Sequence, residues 1–243
     1  MKEKIQRFLK KRNYERWEPK VALFDMDGVL YNSMPNHAMS WHKSMEYYGL
    51  KISEEEAYGY EGMRGVEVIK KLAKEQKGIT LSDDKAQEMY HMKSDYYAKC
   101  EPAGLIPGVH ELQEEMKQLG LEIGVVTGSG QPSLLKRIHT DFKNLVSEKI
   151  FVTANDVEKG KPNPEPYLAG MKKAGTMPWQ TMVVENAPLG VRAAVAAGCF
   201  TIAVNTGPLP ESILQAEGAD IVLRSMSELR DILPILLTPE RVL

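Results

Sequence analysis

Six short apolar runs, most of them separated by stretches of helical pattern, constrain the fold of this chain more than any other feature. They are KVALFD (20–25), LEIGVVT (121–127), KIFVTA (149–154), TMVVE (181–185), CFTIAV (199–204) and ADIVL (219–223). Runs of four to seven apolar residues without polar alternation read as strands buried on both faces. The helical stretches between them lie at 107–119, 131–139, 164–174, 187–197 and 226–236. Strands alternating with helices predict a mostly parallel sheet covered on both sides, an α/β, Rossmann-like doubly wound core.

One interval breaks the alternation. From Ser33 to about Ala103 there is no buried-type strand and at least three helical patterns, the first with Ala38, Trp41, Met45 and Tyr48 on one face and Gly49 at its end. A small all-helical domain inserted beside the carboxyl end of the first strand is placed to act as a lid. The expected organisation is a helical extension at 1–18, a core formed by 19–33 and 104–243, and a helical cap at 34–103.

The extension, MKEKIQRFLKKRNYERWEPK, has the basic residues of a signal peptide without its apolar middle. Ile5, Phe8 and Leu9 make a short amphipathic helix, and Lys10, Lys11 and Arg12 read as a solvated face at its end rather than a nucleic-acid patch, because the net charge is −2. No run approaches the roughly 18 apolar residues of a membrane span. Cys100 and Cys199 match no zinc spacing and read as ordinary thiols, as in a reducing compartment. The expectation is a cytoplasmic protein with neither nucleic-acid nor membrane partners, present as a monomer or weak dimer.

The chemistry is concentrated at the ends of the runs. Asp25-Met26-Asp27-Gly28 follows the strand VALF, and side chains just past the carboxyl ends of parallel strands converge on the crevice where such sheets bind ligands. A calcium loop can share the D-x-D-G pattern, but the residues that follow, VLYNS, supply no further ligand. A carboxylate can attack phosphorus, and a second acid two residues on can donate and accept the protons. Glu185 and Asn186, ending TMVVE, are oxygen ligands suited to Mg2+, and Asn186 before Ala187-Pro188 is also a favourable helix N-cap. Thr127, Gly128 and Ser129 form a hydroxyl-and-amide turn at a helix start, a cradle for phosphate. Lys161 sits in GKPNPEP, where it can neutralise charge.

Taken together, FDMDGVL, VVTGS, GKPNPEPY and VVENAPLGV resemble, in order and spacing, the haloacid dehalogenase superfamily of phosphatases and phosphomutases. The insert resembles the small cap of the subgroup that contains β-phosphoglucomutase and sugar-phosphate phosphatases. The resemblance implies Asp25 as nucleophile and Asp27 as general acid/base, with the Asp27 carbonyl also touching Mg2+. It further implies Thr127, Gly128 and Lys161 on the transferring phosphate, and Glu185 with Asn186 completing the metal shell. Relatives similar to β-phosphoglucomutase usually carry Asp where this chain has Asn186, which implies weaker magnesium binding unless water or neighbouring acids compensate. In the cap, His37 resembles a hinge histidine and Lys93 a lysine meeting the distal phosphate, while Gln131 resembles a polar residue of the second phosphate site. Arg64 lies one position from the mutase's phosphate-binding arginine. A packed histidine is the competing reading of His37. The implied function is magnesium-dependent phosphoryl transfer on a small phosphorylated metabolite, a sugar phosphate, by phosphatase or mutase activity. The alternative is a non-catalytic protein that binds such a metabolite on the same fold.

Overall fold

A computed structural model describes residues 1–129 and 132–242, with nothing described of the side chains of 132–135. The six apolar runs form one parallel sheet: β2 (Val21–Phe24), β3 (Glu122–Val126), β4 (Phe151–Val152), β5 (Thr181–Glu185), β6 (Phe200–Val204) and β7 (Ile221–Leu223). Their spatial order is β4-β3-β2-β5-β6-β7. The chain runs outward from β2 through β3 and β4, then returns to its other side at β5, so strand order reverses at β2. In open α/β sheets the crevice at such a reversal is where ligands bind.

Register fixes which residues meet at the carboxyl edge. Phe24 pairs with Val125 on one side and Val184 on the other. The next residue, Asp25, is tied to β5 by its amide, which donates to the Val184 carbonyl at 3.0 Å. Asp25, Thr127 and Glu185 therefore emerge side by side at the carboxyl edge.

Helices cover both faces: α6 (Val109–Gln118), α7 (Pro132–Asp141), α8 (Glu165–Ala174), α9 (Pro188–Ala196), α10 (Glu211–Ala216) and α11 (Met226–Leu236). The predicted strands and helices all appear, shifted by a few residues at their ends. The short α10, with only Leu214 fully buried, carries too little apolar pattern to be read from sequence.

The 33–103 interval holds four helices, α2 (Met34–Tyr47), α3 (Glu54–Gly59), α4 (Gly65–Lys77) and α5 (Asp83–Ala98). Ala38, Trp41 and Met45 of α2 pack with Val68, Ile69 and Leu72 of α4 and Met89 of α5 in an apolar cluster of their own. Gly49 follows α2 with φ +65°, the left-handed conformation that lets the chain leave a helix without a Cβ clash.

The amino-terminal helix α1 (Lys2–Arg12) is more than a solvated face. Ile5, Phe8 and Leu9 are buried in the main core. Phe8 meets Trp17 and Phe200 edge to face at 5.7 and 5.2 Å. Lys10 and Lys11 are exposed as expected, but Arg12 turns inward and bonds the Val195 carbonyl at the end of α9. Two residues of β1 (Arg16–Trp17) pair antiparallel with β8 (Glu240–Arg241), pinning the start of the chain to its end. Cys199 is buried and Cys100 half-buried, and neither is in a disulfide. Among the described residues no helix is long and apolar enough to cross a membrane.

Candidate active site

Lys161 organises the floor of the crevice. Its side chain is buried to 1% exposure, and its ammonium pairs with Asp25 Oδ1 and, at 2.7 Å, with Glu185 Oε1. The Val126 carbonyl accepts a third bond at 3.3 Å. Burial works against the charged lysine, but the two carboxylates outweigh it and hold its pKa above the usual lysine value. The Lys161–Pro162 peptide bond is cis.

Glu185 is bound from every side. Tyr167, fully buried on α8, donates to Oε1 at 2.5 Å, and the backbone amides of Asn186 and Ala187 approach Oε2 at 3.1 and 3.4 Å. Its carboxylate thus takes the place of a cap at the start of α9. Gly190 leaves the space: a Cβ there would overlap the Glu185 carboxylate. This corrects the expectation that Asn186 caps the helix. The N-cap position is Ala187, and the Asn186 side chain instead donates from Nδ2 to Glu61 Oε2 at 3.1 Å.

Asp25 is almost completely buried, and its pKa is pushed up to about 7 by that burial, with Lys161 opposing and Glu185 and Asp27 adding. Asp27 behaves in the opposite way. Burial would raise it, but His37, Ser33 and Lys93 outweigh burial and hold it below the usual carboxylate range. Ser33 Oγ donates to Asp27 Oδ1 at 2.6 Å, and His37 Nε2 lies 3.2 Å from the same oxygen. Lys93 Nζ is 2.6 Å from His37 Nδ1, so a protonated lysine makes Nδ1 the acceptor and leaves the ring proton on Nε2, facing Asp27. The ring stacks on Tyr97 at 4.2 Å, and Lys93 is boxed by Trp41, Tyr90 and Tyr97. Burial pushes Lys93 down to about 8. His37 is therefore placed against Asp27 as well as packed on Tyr97.

Thr127 Oγ1 accepts from the Ser129 amide at 3.0 Å, shaping the turn. Gly128 is exposed at the junction of two cavities. The larger is lined by Asp25, Asp27, His37, Trp41, Tyr60, Glu61, Tyr90, Lys93 and Ser129, among others. The smaller lies beside Thr127, Lys161 and Arg64. Arg64 is exposed, and its guanidinium bonds the Glu158 carbonyl at 2.9 Å, outside the larger cleft. Gln131 lies outside the described residues.

Sequence reasoning missed Glu61. It lies in the loop between α3 and α4, and its pKa is pushed well above the usual value by burial and by Asp25, Asp27 and Glu185. An acid in a glycine-containing loop carries no distinguishing pattern; its proximity to Arg64 in YEGMRG was the only hint.

The site suits a hard divalent cation. Among the described residues no three His, Cys, Asp or Glu side chains are disposed to hold an ion by themselves. A mixed set of oxygens is available instead: the Asp25 carboxylate, the Asp27 carbonyl, and two buried side-chain oxygens without a hydrogen-bond partner among the described residues, Asn186 Oδ1 and Glu61 Oε1. Oxygen-only donors with excess negative charge fit Mg2+.

An acid at the switch-point strand, a lysine bridging it to the acid that ends the neighbouring strand, and a helical insert beside the opening define a haloacid dehalogenase-like hydrolase. The sequence profile of that family matches residues 22–204, and the chain belongs to it. It is an enzyme of the phosphatase and phosphomutase type within that family. Hexitol phosphatase A of Escherichia coli is 31% identical over 86% of this chain and 93% of its own length. Beta-phosphoglucomutase of Bacillus subtilis is 27% identical over 86% and 91%. A solved structure described as "Putative beta-phosphoglucomutase from Bacteroides vulgatus" is 45% identical, with a TM-score of 0.93 over 97% of this chain and 96% of that one.

Proposed function

We propose that the enzyme is a magnesium-dependent phosphatase of small sugar or polyol phosphates, working through a phosphoryl group carried on Asp25. The observation that carries this reading is the buried Lys161 ammonium bound to both Asp25 and Glu185. It screens an anionic nucleophile from an anionic substrate, the electrostatic problem any such transfer faces.

Asp25 attacks phosphorus with one oxygen; the bond to the leaving oxygen breaks, and Asp27, in the minor protonated form that its lowered pKa leaves, gives that oxygen a proton. Asp27 then takes a proton from water as it attacks the acyl phosphate, which returns Asp25 and releases inorganic phosphate. His37 and Ser33 hold Asp27 toward the cleft through both steps. Thr127 and the Gly128 turn stand where the phosphoryl oxygens are received, with Lys161 beneath. Mg2+, held by Asp25, the Asp27 carbonyl, Asn186 and the Glu185-ordered loop, would neutralise phosphoryl charge.

The cleft favours hydrolysis over isomerisation. A mutase substrate carries a second phosphate, yet Lys93 is the one cation among the described residues lining the larger cleft, and it is bound to His37. Trp41, Tyr60 and Tyr90 offer apolar faces for a sugar or polyol chain. Mutase activity is the second reading, supported by the likeness to the Bacteroides vulgatus structure. Incubating the enzyme and Mg2+ with hexose, hexitol and pentose phosphates tests both. Free phosphate from monophosphates is the expected result; isomerised sugar without phosphate release, seen by NMR, would favour the mutase.

A further inference from the structure

Asn186 presents a problem that the insert solves. It is 6% exposed, its Nδ2 is spent on Glu61 Oε2, and its Oδ1 has no hydrogen-bond partner among the described residues. Glu61 Oε1, buried beside it, has none either. A buried acceptor without a donor is costly, and two neighbouring ones at the edge of an acidic cleft call for a shared partner. No protein cation fills that role among the described residues: Lys161 is engaged with Asp25 and Glu185, Lys93 with His37, and Glu61 takes part in no salt bridge.

The loop that carries Glu61 is seated on the core. Gly62, at φ +84°, lies so close to the Lys161 side chain that a Cβ would come within 3.0 Å of its Cδ. The Gly62 carbonyl faces Gly128, 3.4 Å from where a Cβ on Gly128 would be. The backbone thus approaches Lys161 and Gly128 and brings an acid against Asn186. With Asn at 186 that acid is welcomed by an amide; with Asp at 186 two carboxylates would face each other.

We propose that Glu61 is a ligand of the divalent cation, supplying from the helical insert the negative charge that Asn186 does not, so that the metal site is complete only when the 60–64 loop is seated. The inference rests on the divalent-cation reading of the site. A purely structural latch is the competing explanation, and it makes a different demand. Glu61→Gln keeps an oxygen to accept the Asn186 amide and so preserves the latch, but loses the charge.

Mn2+ alone is the probe, titrated into the full-length wild type, Glu61→Gln, Asn186→Asp and the Glu61→Gln/Asn186→Asp double variant, with free Mn2+ read by EPR and folding checked by thermal denaturation. Because ligand charge sets affinity in oxygen sites, Glu61→Gln should weaken Mn2+ binding about 10-fold or more, and the double variant should recover to near wild type. Metal should also slow amide hydrogen exchange across residues 58–66 in wild type and not in Glu61→Gln. Equal Mn2+ affinity in wild type and Glu61→Gln overturns the proposal while leaving a divalent site in place. Failure of the wild type itself to bind Mn2+ overturns the underlying reading as well.

Discussion

Lys161 Nζ lies 2.7 Å from Glu185 Oε1 with both side chains almost completely buried, and the same ammonium pairs with Asp25. Two carboxylates from neighbouring strands are thus tolerated in the core by one charge. Removing that charge leaves both uncompensated, which typically costs about 3–5 kcal/mol. Lys161→Ala should lower metal-free stability in urea by that order and abolish turnover. A variant as stable as wild type would show the pair to be incidental.

The raised Asp25 pKa gives a pH dependence with a definite sign. A carboxyl whose folded pKa, about 7, exceeds its ordinary 3.8 favours the folded state fully when protonated, and that contribution is lost as pH rises through about 7. In the metal-free protein, Asp25→Asn should therefore gain stability relative to wild type between pH 4 and pH 8. Thermal denaturation at the two pH values checks this; a gap that does not change with pH contradicts it.

Gly190 reverses a common rule. Ala in place of Gly within a helix usually stabilises by about 0.5–1 kcal/mol. Here the added methyl overlaps the Glu185 carboxylate, so Gly190→Ala should cost about 1–3 kcal/mol and most of the activity. Urea midpoints and kcat together read the effect.

Phe8 tests how far the amino-terminal helix belongs to the core. It is 1% exposed and makes edge contacts with Tyr14, Trp17 and Phe200. Phe8→Ala should destabilise by about 3–5 kcal/mol while kcat at permissive temperature stays near wild type, since the helix lies away from the crevice.

The parallel sheet was legible because most of its strand residues are apolar and buried, and because β2, β3 and β5 run into Asp25, Thr127 and Glu185. Asp25, Asp27 and Glu185 could be proposed from those strand ends and Lys161 from its GKPNPEP segment, and the fold brings Lys161 against Asp25 and Glu185. What sequence hid were relations across the chain. Asn186 reads as a helix cap by its neighbours, yet Glu185 accepts the helix-start amides and Asn186 reaches 125 residues back to Glu61. Arg12 likewise reads as a solvated end of α1 because its partner, the Val195 carbonyl, lies in another helix. Such pairings depend on tertiary placement, which no local pattern records.

Covalent capture at position 25 tests the mechanism most directly. The enzyme is quenched in acid during turnover of a phosphorylated substrate, and its peptides are mapped by mass spectrometry. A phosphoryl group on Asp25, absent from Asp25→Asn, is the predicted result. Full turnover by Asp25→Asn, or a phosphoryl group found only on another side chain, would contradict it.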